Sequence, residues 1–222
     1  MQDLQKLIAE FHSKFGHPSE SSVSMANLLD PKLVGLRLNL ITEELKEGMD
    51  AEIILNDPEQ EGEAKEAAII EIFDSLVDVA VVTIGAACVF GLHLDSSEVS
   101  QEMFEELQLM DDIFQPLAAE LTALTENLLD LNKFPSTKSY LVSTILRNLQ
   151  NLLDYCIGIA DSLNFPFELG FLEVHASNMS KLGADGLPIY REDGKILKGP
   201  NYFKPNLKKV LDDYLAQLVE SA

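Results

Sequence analysis

Between residues 67 and 92 the chain is almost wholly apolar, yet three acids, Glu71, Asp74 and Asp78, interrupt the run. An apolar run of that length predicts a helix buried on most sides, where carboxylates spaced three and four apart cannot all be surface decoration. A core-facing carboxylate is costly unless something positive meets it. A second pair, Glu44 and Glu47, also stands three residues apart and extends a stripe made by Leu33, Leu36 and Leu40. On a helix each pair shares one face. Four carboxylates converging from two neighbouring helices call for a divalent cation. Oxygen ligands with no His or Cys nearby point to Mg2+, with Mn2+ as a substitute. A Glu-Glu-x-x-Glu run alone is most often a solvated face; the second pair, inside an apolar helix, is what lifts the metal reading above that. Asp78 fits a further ligand, a partner of the ligands or a ribose contact. Glu43 falls on another face and reads as a surface acid.

The other segments read as further helices around these two. Residues 4–15 form a short amphipathic helix stopped by Gly16-His17-Pro18. There Phe11, His12 and Phe15 suit core packing better than the wall of a base pocket. Residues 18–27 are a polar loop. Asp30-Pro31 gives an N-cap and a first-turn proline, opening a helix to about residue 54 that Asn56-Asp57-Pro58 breaks. The acid-bearing apolar helix spans about 61–90 and stops at Gly91. Asp95-Ser96-Ser97 caps an acidic helix to about residue 130, which Pro116 kinks or divides. Pro135-Ser136-Thr137 starts a helix over 138–163, and another follows over 169–182. Residues 188–198 alternate around Asp193-Gly194 as a small β-hairpin. A last helix covers 207–219. The class is all-α with a minor C-terminal hairpin.

Residues 38–47 line up with 121–130 at a shift of 83, and Phe90-Gly-Leu-His-Leu94 weakly matches Leu163-Asn-Phe-Pro-Phe167 at a shift of 73. Asn127 stands where the first copy has Glu44, and Thr144 and Arg147 lie opposite Glu71 and Asp74. A duplicated helix pair whose second copy lost its acids accounts for this, giving a pseudo-dimer with one live site. Chance likeness between Leu-rich helices accounts for it equally well.

Charge narrows the function. A formal net charge of −21 excludes a nucleic-acid surface, which needs a basic patch. No Lys or Arg occurs between Lys65 and Lys133, whereas seven of the sixteen lie from Lys181 to Lys209, a segment suited to an anionic small molecule. Lys181 follows Asn178 by three residues, so Lys181 is assigned to phosphate and Asn178 to phosphate or sugar; Lys195, Lys198 and Tyr202 are weaker candidates. Arg37, one turn before Ile41, is expected to pair with an acid instead. No secretory signal is evident, and the charge-free run 79–92 is too short to span a bilayer. Cys88 and Cys156, both in apolar segments, read as buried thiols of a reduced, cytoplasmic protein.

Glu-x-x-Glu followed by Glu-x-x-Asp on antiparallel helices resembles the all-α nucleoside triphosphate pyrophosphohydrolases, a superfamily holding MazG-like enzymes, dimeric dUTPases and phosphoribosyl-ATP pyrophosphohydrolases. The match lies mainly in residues 33–92. A second stretch, Val174-His-Ala-Ser-Asn-Met-Ser-Lys-Leu-Gly183 through Asp193-Gly-Lys-Ile-Leu-Lys-Gly-Pro-Asn-Tyr-Phe203, is similar to the tail of a MazG-like, phosphoribosyl-ATP pyrophosphohydrolase-like branch. The resemblance implies one MazG-like helical bundle over residues 1–222. Its parts would be catalytic helices (1–95), an insertion or degenerate repeat (96–170) and a phosphate-binding tail (171–222). It implies Mg2+-dependent hydrolysis of a nucleoside triphosphate between the α and β phosphorus atoms, a nucleotide-pool house-cleaning reaction. Four carboxylates suit one or two Mg2+ ions and Glu47 or Glu44 suits a general base. The other readings are phosphoribosyl-ATP pyrophosphohydrolase activity, a non-catalytic metal- or nucleotide-binding module, and a helical scaffold. Extensive apolar helix surface makes a homodimer the default. Nothing in the residues selects a base.

Overall fold

The computed structural model describes residues 3–95, 99–110, 112–190 and 196–221. Among them the secondary structure is almost entirely helical, as the all-α reading requires. Helix α1 (Leu4–Lys14) starts where the Asp3 carboxylate accepts from the Lys6 N–H, and it buries Leu4, Ile8 and His12 along one stripe. Within the loop expected at 18–27 there is one helical turn, α2 (Met25–Leu28), capped by Ser24. Helix α3 (Pro31–Asn56) begins as expected: Asp30 accepts from the N–H groups of Lys32 and Leu33, and Pro31 occupies the first turn.

Helix α4 (Glu63–Phe90) returns antiparallel to α3 and is the axis of the molecule. From Ala68 onward most of its residues are buried, with Phe73, Leu76, Ile84 and Phe90 among the most enclosed. It is long and apolar enough to cross a membrane, but 78% of its most apolar stretch is buried inside the protein, so its hydropathy serves the core. Gly91 ends it at φ 68°, the left-handed conformation that favours glycine.

The expected acidic helix is divided rather than kinked, into α5 (Gln101–Leu107) and α6 (Gln115–Lys133). Pro116 lies in the first turn of α6, where its missing N–H costs nothing. Ser100, not Asp95, caps α5, its Oγ accepting from the Met103 N–H at 3.1 Å; Ser96 and Ser97 lie outside the described residues. Helix α7 (Lys138–Ser162) pairs with α6 and packs on α4, so two helix pairs share one core. Helices α8 (Phe167–Met179) and α9 (Leu207–Ser221) close the chain.

The hairpin at 188–198 is reduced to less than expected. Among the described residues there is no strand, only one antiparallel bridge between Tyr190 and Ile196, with the Leu197 N–H donating to the Ile189 carbonyl at 2.7 Å. The Asp193-Gly194 turn lies outside the described residues. Both cysteines are free and buried, and burial pushes the Cys88 thiol up to about 11.

Candidate functional site

The buried line on α3 is Arg37, Ile41, Leu45, Gly48 and Glu52, rotated from the expected Leu33–Leu36–Leu40 stripe; Leu36 is 50% exposed. Glu44 therefore sits half-buried at the edge of the α3–α4 seam, and Glu47 stands exposed beyond it. On α4, Glu71 is exposed while Asp74 and Asp78 are half-buried on the side facing α3. The Ser75 hydroxyl donates to the Glu44 carbonyl at 2.7 Å, which fixes the two helices in register at the acids.

Electrostatics shows how closely these groups gather. Burial, then the charges of Glu47, Asp74, Glu43 and Glu71, raise Glu44 to about 7. Burial and Glu71, with Glu47 adding to them, raise Asp74 to about 6, against a lowering by Lys204. Asp78 lies well above the usual carboxylate range, chiefly from burial and then from Asp74 and Glu44, with Lys181 opposing. Glu44, Asp74 and Asp78 thus each feel the charge of neighbouring acids, and Lys181 reaches the same place. Its own pKa is lowered by burial, while Tyr202, Asp78 and Glu44 act to raise it and Lys198 to lower it. Asn178 holds that ammonium, with Lys181 Nζ donating to Asn178 Oδ1 at 2.6 Å.

The tail is stitched to α8, which explains why its basic groups arrive at the acids. Ser177 Oγ donates to the Phe203 carbonyl at 2.8 Å, the Asn206 N–H to Glu173 Oε1 at 2.9 Å, and the Gly199 N–H to the Lys181 carbonyl at 3.0 Å. A Cβ on Gly199 would stand 2.0 Å from the Leu182 carbonyl oxygen, so only glycine lets the tail lie this close. Lys198 is exposed, its Nζ 4.3 Å from the Tyr202 ring centroid. Lys195 lies outside the described residues. Lys204 was missed in the sequence; membership of the basic tail was its one signal.

Do these residues suit a divalent cation? The donors are all carboxylate oxygens, and Asp74 Oδ1 is buried with no hydrogen-bond partner. Both facts fit a hard cation. As the side chains stand, however, no three Asp, Glu, His or Cys groups among the described residues close around one point. Beside the acids lies a cavity of about 530 Å³, walled by Glu47 and Glu71 at one end and by Ala51, Ile54, Ala64 and Ala68 elsewhere.

The expected acid partner for Arg37 is absent: among the described residues it makes no ion pair, and its Nε is buried without a hydrogen bond. Its position in the buried line, two turns before Glu44, keeps it inside the α1–α3–α4 packing and away from the surface acids. His12 and Phe15 are buried in the core, as expected.

No family model matches the chain, and no solved structure matches it. The chain is similar to uncharacterized protein L479 of Acanthamoeba polyphaga mimivirus, at 27% identity over 191 residues covering 79% of this chain and 69% of that protein.

Proposed function

We propose that the chain hydrolyses nucleoside triphosphates to monophosphate and pyrophosphate with Mg2+, or Mn2+ in its place. The observation that carries this reading is the meeting of Glu44, Asp74 and Asp78, within reach of the charges of Glu47 and Glu71, with the half-buried ammonium of Lys181. Carboxylates crowded until they resist ionisation lack positive charge, and the unpartnered Asp74 Oδ1 lacks a ligand. Glu44, Glu47, Glu71 and Asp74 would hold the cation, which when bound offsets phosphate charge in the transition state.

The chain's own groups would do the rest. Glu44, raised towards neutrality, suits acceptance of a proton from the attacking water, with Glu47 beside it. Lys181, oriented by Asn178, would bind a phosphate oxygen, and Lys198, Tyr202 and Lys204 border the same approach. The cavity lined by Ala51, Ile54, Ala64 and Ala68 has room for a nucleoside. A homodimer and a cytoplasmic setting belong to the same proposal; exposed Met49 and Ile53, one turn apart on α3, offer an apolar patch for a second copy.

A non-catalytic metal- or nucleotide-binding module is the second reading, favoured by the open spacing of the acids. Incubation with Mg2+ and a nucleotide panel separates the two through pyrophosphate release. Glu44→Gln and Asp74→Asn are expected to abolish release while leaving the helical circular dichroism signal nearly intact. Full activity in either variant would place the chemistry elsewhere.

A further inference from the structure

The cavity beside the acids is a trough between two matching helix faces. On α3 its lining runs from Glu47 through Asp50 to Ile54, and on α4 from Ala64 through Ala68 to Glu71. Each set follows the i, i+3, i+4, i+7 spacing of one helix face. Because the helices run antiparallel, Glu47 and Glu71 share one end and Ile54 and Ala64 the other, where Gln60 of the connecting loop closes it. Seven residues of helix rise about 10 Å, enough for a sugar and a base end to end. Four alanines in the lining leave that length free of bulky side chains.

This lining is rich in acceptors and poor in donors. No Lys, Arg, His, Ser or Thr side chain contributes to it. The backbone N–H groups of Gln60 and Ala64 donate to the carbonyls of Asp57 and Glu61 at 3.2 and 3.3 Å, and the others lie inside α3 or α4, where helical bonding engages them. The half-buried Gln60 amide makes no hydrogen bond among the described residues, so its NH2 group is the one free donor that they bring to the lining. Against it stand its own Oε1 and the Asp50 carboxylate, of which Lys46 takes only Oδ2.

We propose that the trough seats the nucleobase and that Asp50 and Gln60 select bases carrying an exocyclic amino group over their oxo counterparts. The amino group of cytosine or adenine offers two N–H groups, one for Gln60 Oε1 and one for Asp50, while the neighbouring ring nitrogen accepts from Gln60 Nε2. Uracil or hypoxanthine puts a carbonyl oxygen in that place. It faces the Asp50 carboxylate with one donor at most to satisfy it. The inference rests on the reading of the acids as a nucleotide site and names the substrate class of that site; it requires binding but not turnover.

The test is calorimetric binding of α,β-methylene triphosphates to the full chain with Mg2+, in two pairs that exchange an amino for an oxo group. The pairs are cytidine with uridine and adenosine with inosine, and pyrophosphate release is measured beside them on the four parent triphosphates. The amino member of each pair is expected to bind at least tenfold tighter. Asp50→Asn, which adds a donor, should bring each pair within threefold, and Gln60→Leu should weaken the amino member at least fivefold. Ala67→Phe, at an exposed position that tolerates bulk, should weaken all four at least tenfold. Wild-type affinities within twofold in both pairs, or an Asp50→Asn preference equal to the wild type's, overturn the selection even if all four triphosphates are cleaved. A tenfold amino preference with no pyrophosphate released from any of them upholds the trough and ends the hydrolase reading. Failure of all four analogues to bind overturns both. Wild-type binding by Ala67→Phe removes the base from the trough, and a shift of that variant from dimer to monomer in sedimentation would give the trough to a second copy instead.

Discussion

The Ser75 hydroxyl reaches the Glu44 carbonyl at 2.7 Å because Gly48, one turn further along α3, has no side chain. A Cβ there would stand 2.3 Å from Ser75 Oγ and 2.2 Å from Cζ of Phe114, a fully buried ring at the head of α6. One glycine thus sets how closely the two acid-bearing helices approach, and it does so within a turn of Glu44 and Glu47.

Gly48→Ala should therefore destabilise the fold despite alanine's better helix propensity. Overpacking against an immobile ring costs about 1–3 kcal/mol, whereas Ser75→Ala, which deletes one hydrogen bond, should cost about 1 kcal/mol. Urea unfolding followed by circular dichroism measures both. If Gly48→Ala unfolds at the wild-type urea concentration, the approach of the helices is looser than described.

Crowded acids make stability depend on pH, and the sign is fixed by which state binds protons more tightly. Glu44 and Asp74 titrate higher in the folded chain than in the unfolded one, so the stability they confer when protonated is lost as pH rises towards about 7 for Glu44 and about 6 for Asp74. Asp78 acts in the same direction. His12, lowered to about 4 by burial, and His17, also lowered, act oppositely, but only below their ordinary value of 6.5. From pH 6.5 upward the imidazoles no longer contribute and Glu44 dominates. The Tm of cation-free protein should fall as the pH passes from 6.5 through about 7, less steeply in Glu44→Gln, and millimolar Mg2+ should restore most of the loss. A wild-type Tm that is flat or rising, with the Glu44→Gln curve parallel to it, would show that Glu44 ionises without penalty.

The elements were largely legible because caps, prolines and apolar periodicity are local signals: Asp30-Pro31, Gly91 and the apolar run of α4 each do what they announce. The rotation of α3 was not legible. Gly48 and Ser75 fix it by a contact between helices, and no periodicity within α3 reports that contact. The same gap explains Arg37, expected from its place one turn before Ile41 to pair with an acid; which acids come near is decided by packing. Lys204 escaped for a related reason, since its approach to Asp74 depends on the bonds from Ser177 and Glu173 that bend the tail back over α8. The acids themselves were readable because a charge inside an apolar helix is anomalous before any fold is known.

Lys181 should matter more than the other tail residues. It senses the charges of both Asp78 and Glu44, and Asn178 aims it. In the pyrophosphate-release assay, Lys181→Met is expected to lower kcat/KM at least tenfold. Asn178→Ala should lower it less, since the ammonium survives but is no longer steered. Lys198→Ala, whose ammonium is exposed over the Tyr202 ring, should cost least. A Lys181→Met enzyme within twofold of wild type would remove this residue from the phosphate contacts.

The second helix pair offers the sharpest contrast with the first. Asn127, the counterpart of Glu44 in the sequence echo, donates to Asn148 Oδ1 at 3.0 Å and to the Ala123 carbonyl at 2.8 Å. Asn148 and Asn151 in turn donate to the two oxygens of Glu120, at 2.8 and 3.0 Å. One carboxylate and three amides satisfy one another there, so the α6–α7 pair needs no cation, whereas the α3–α4 pair leaves Asp74 Oδ1 bare. Two variants should therefore behave oppositely. Asn148→Leu strands Asn127 and Glu120 and should cost about 1–3 kcal/mol, with the Tm gain on adding Mg2+ unchanged. Asp74→Asn removes a crowded charge, so it should leave the cation-free protein at least as stable while abolishing most of the Mg2+ gain. If Asn148→Leu instead erased the Mg2+ response and Asp74→Asn kept it, the cation would belong to the α6–α7 pair, and the acids of α3 and α4 would be a solvated, crowded surface.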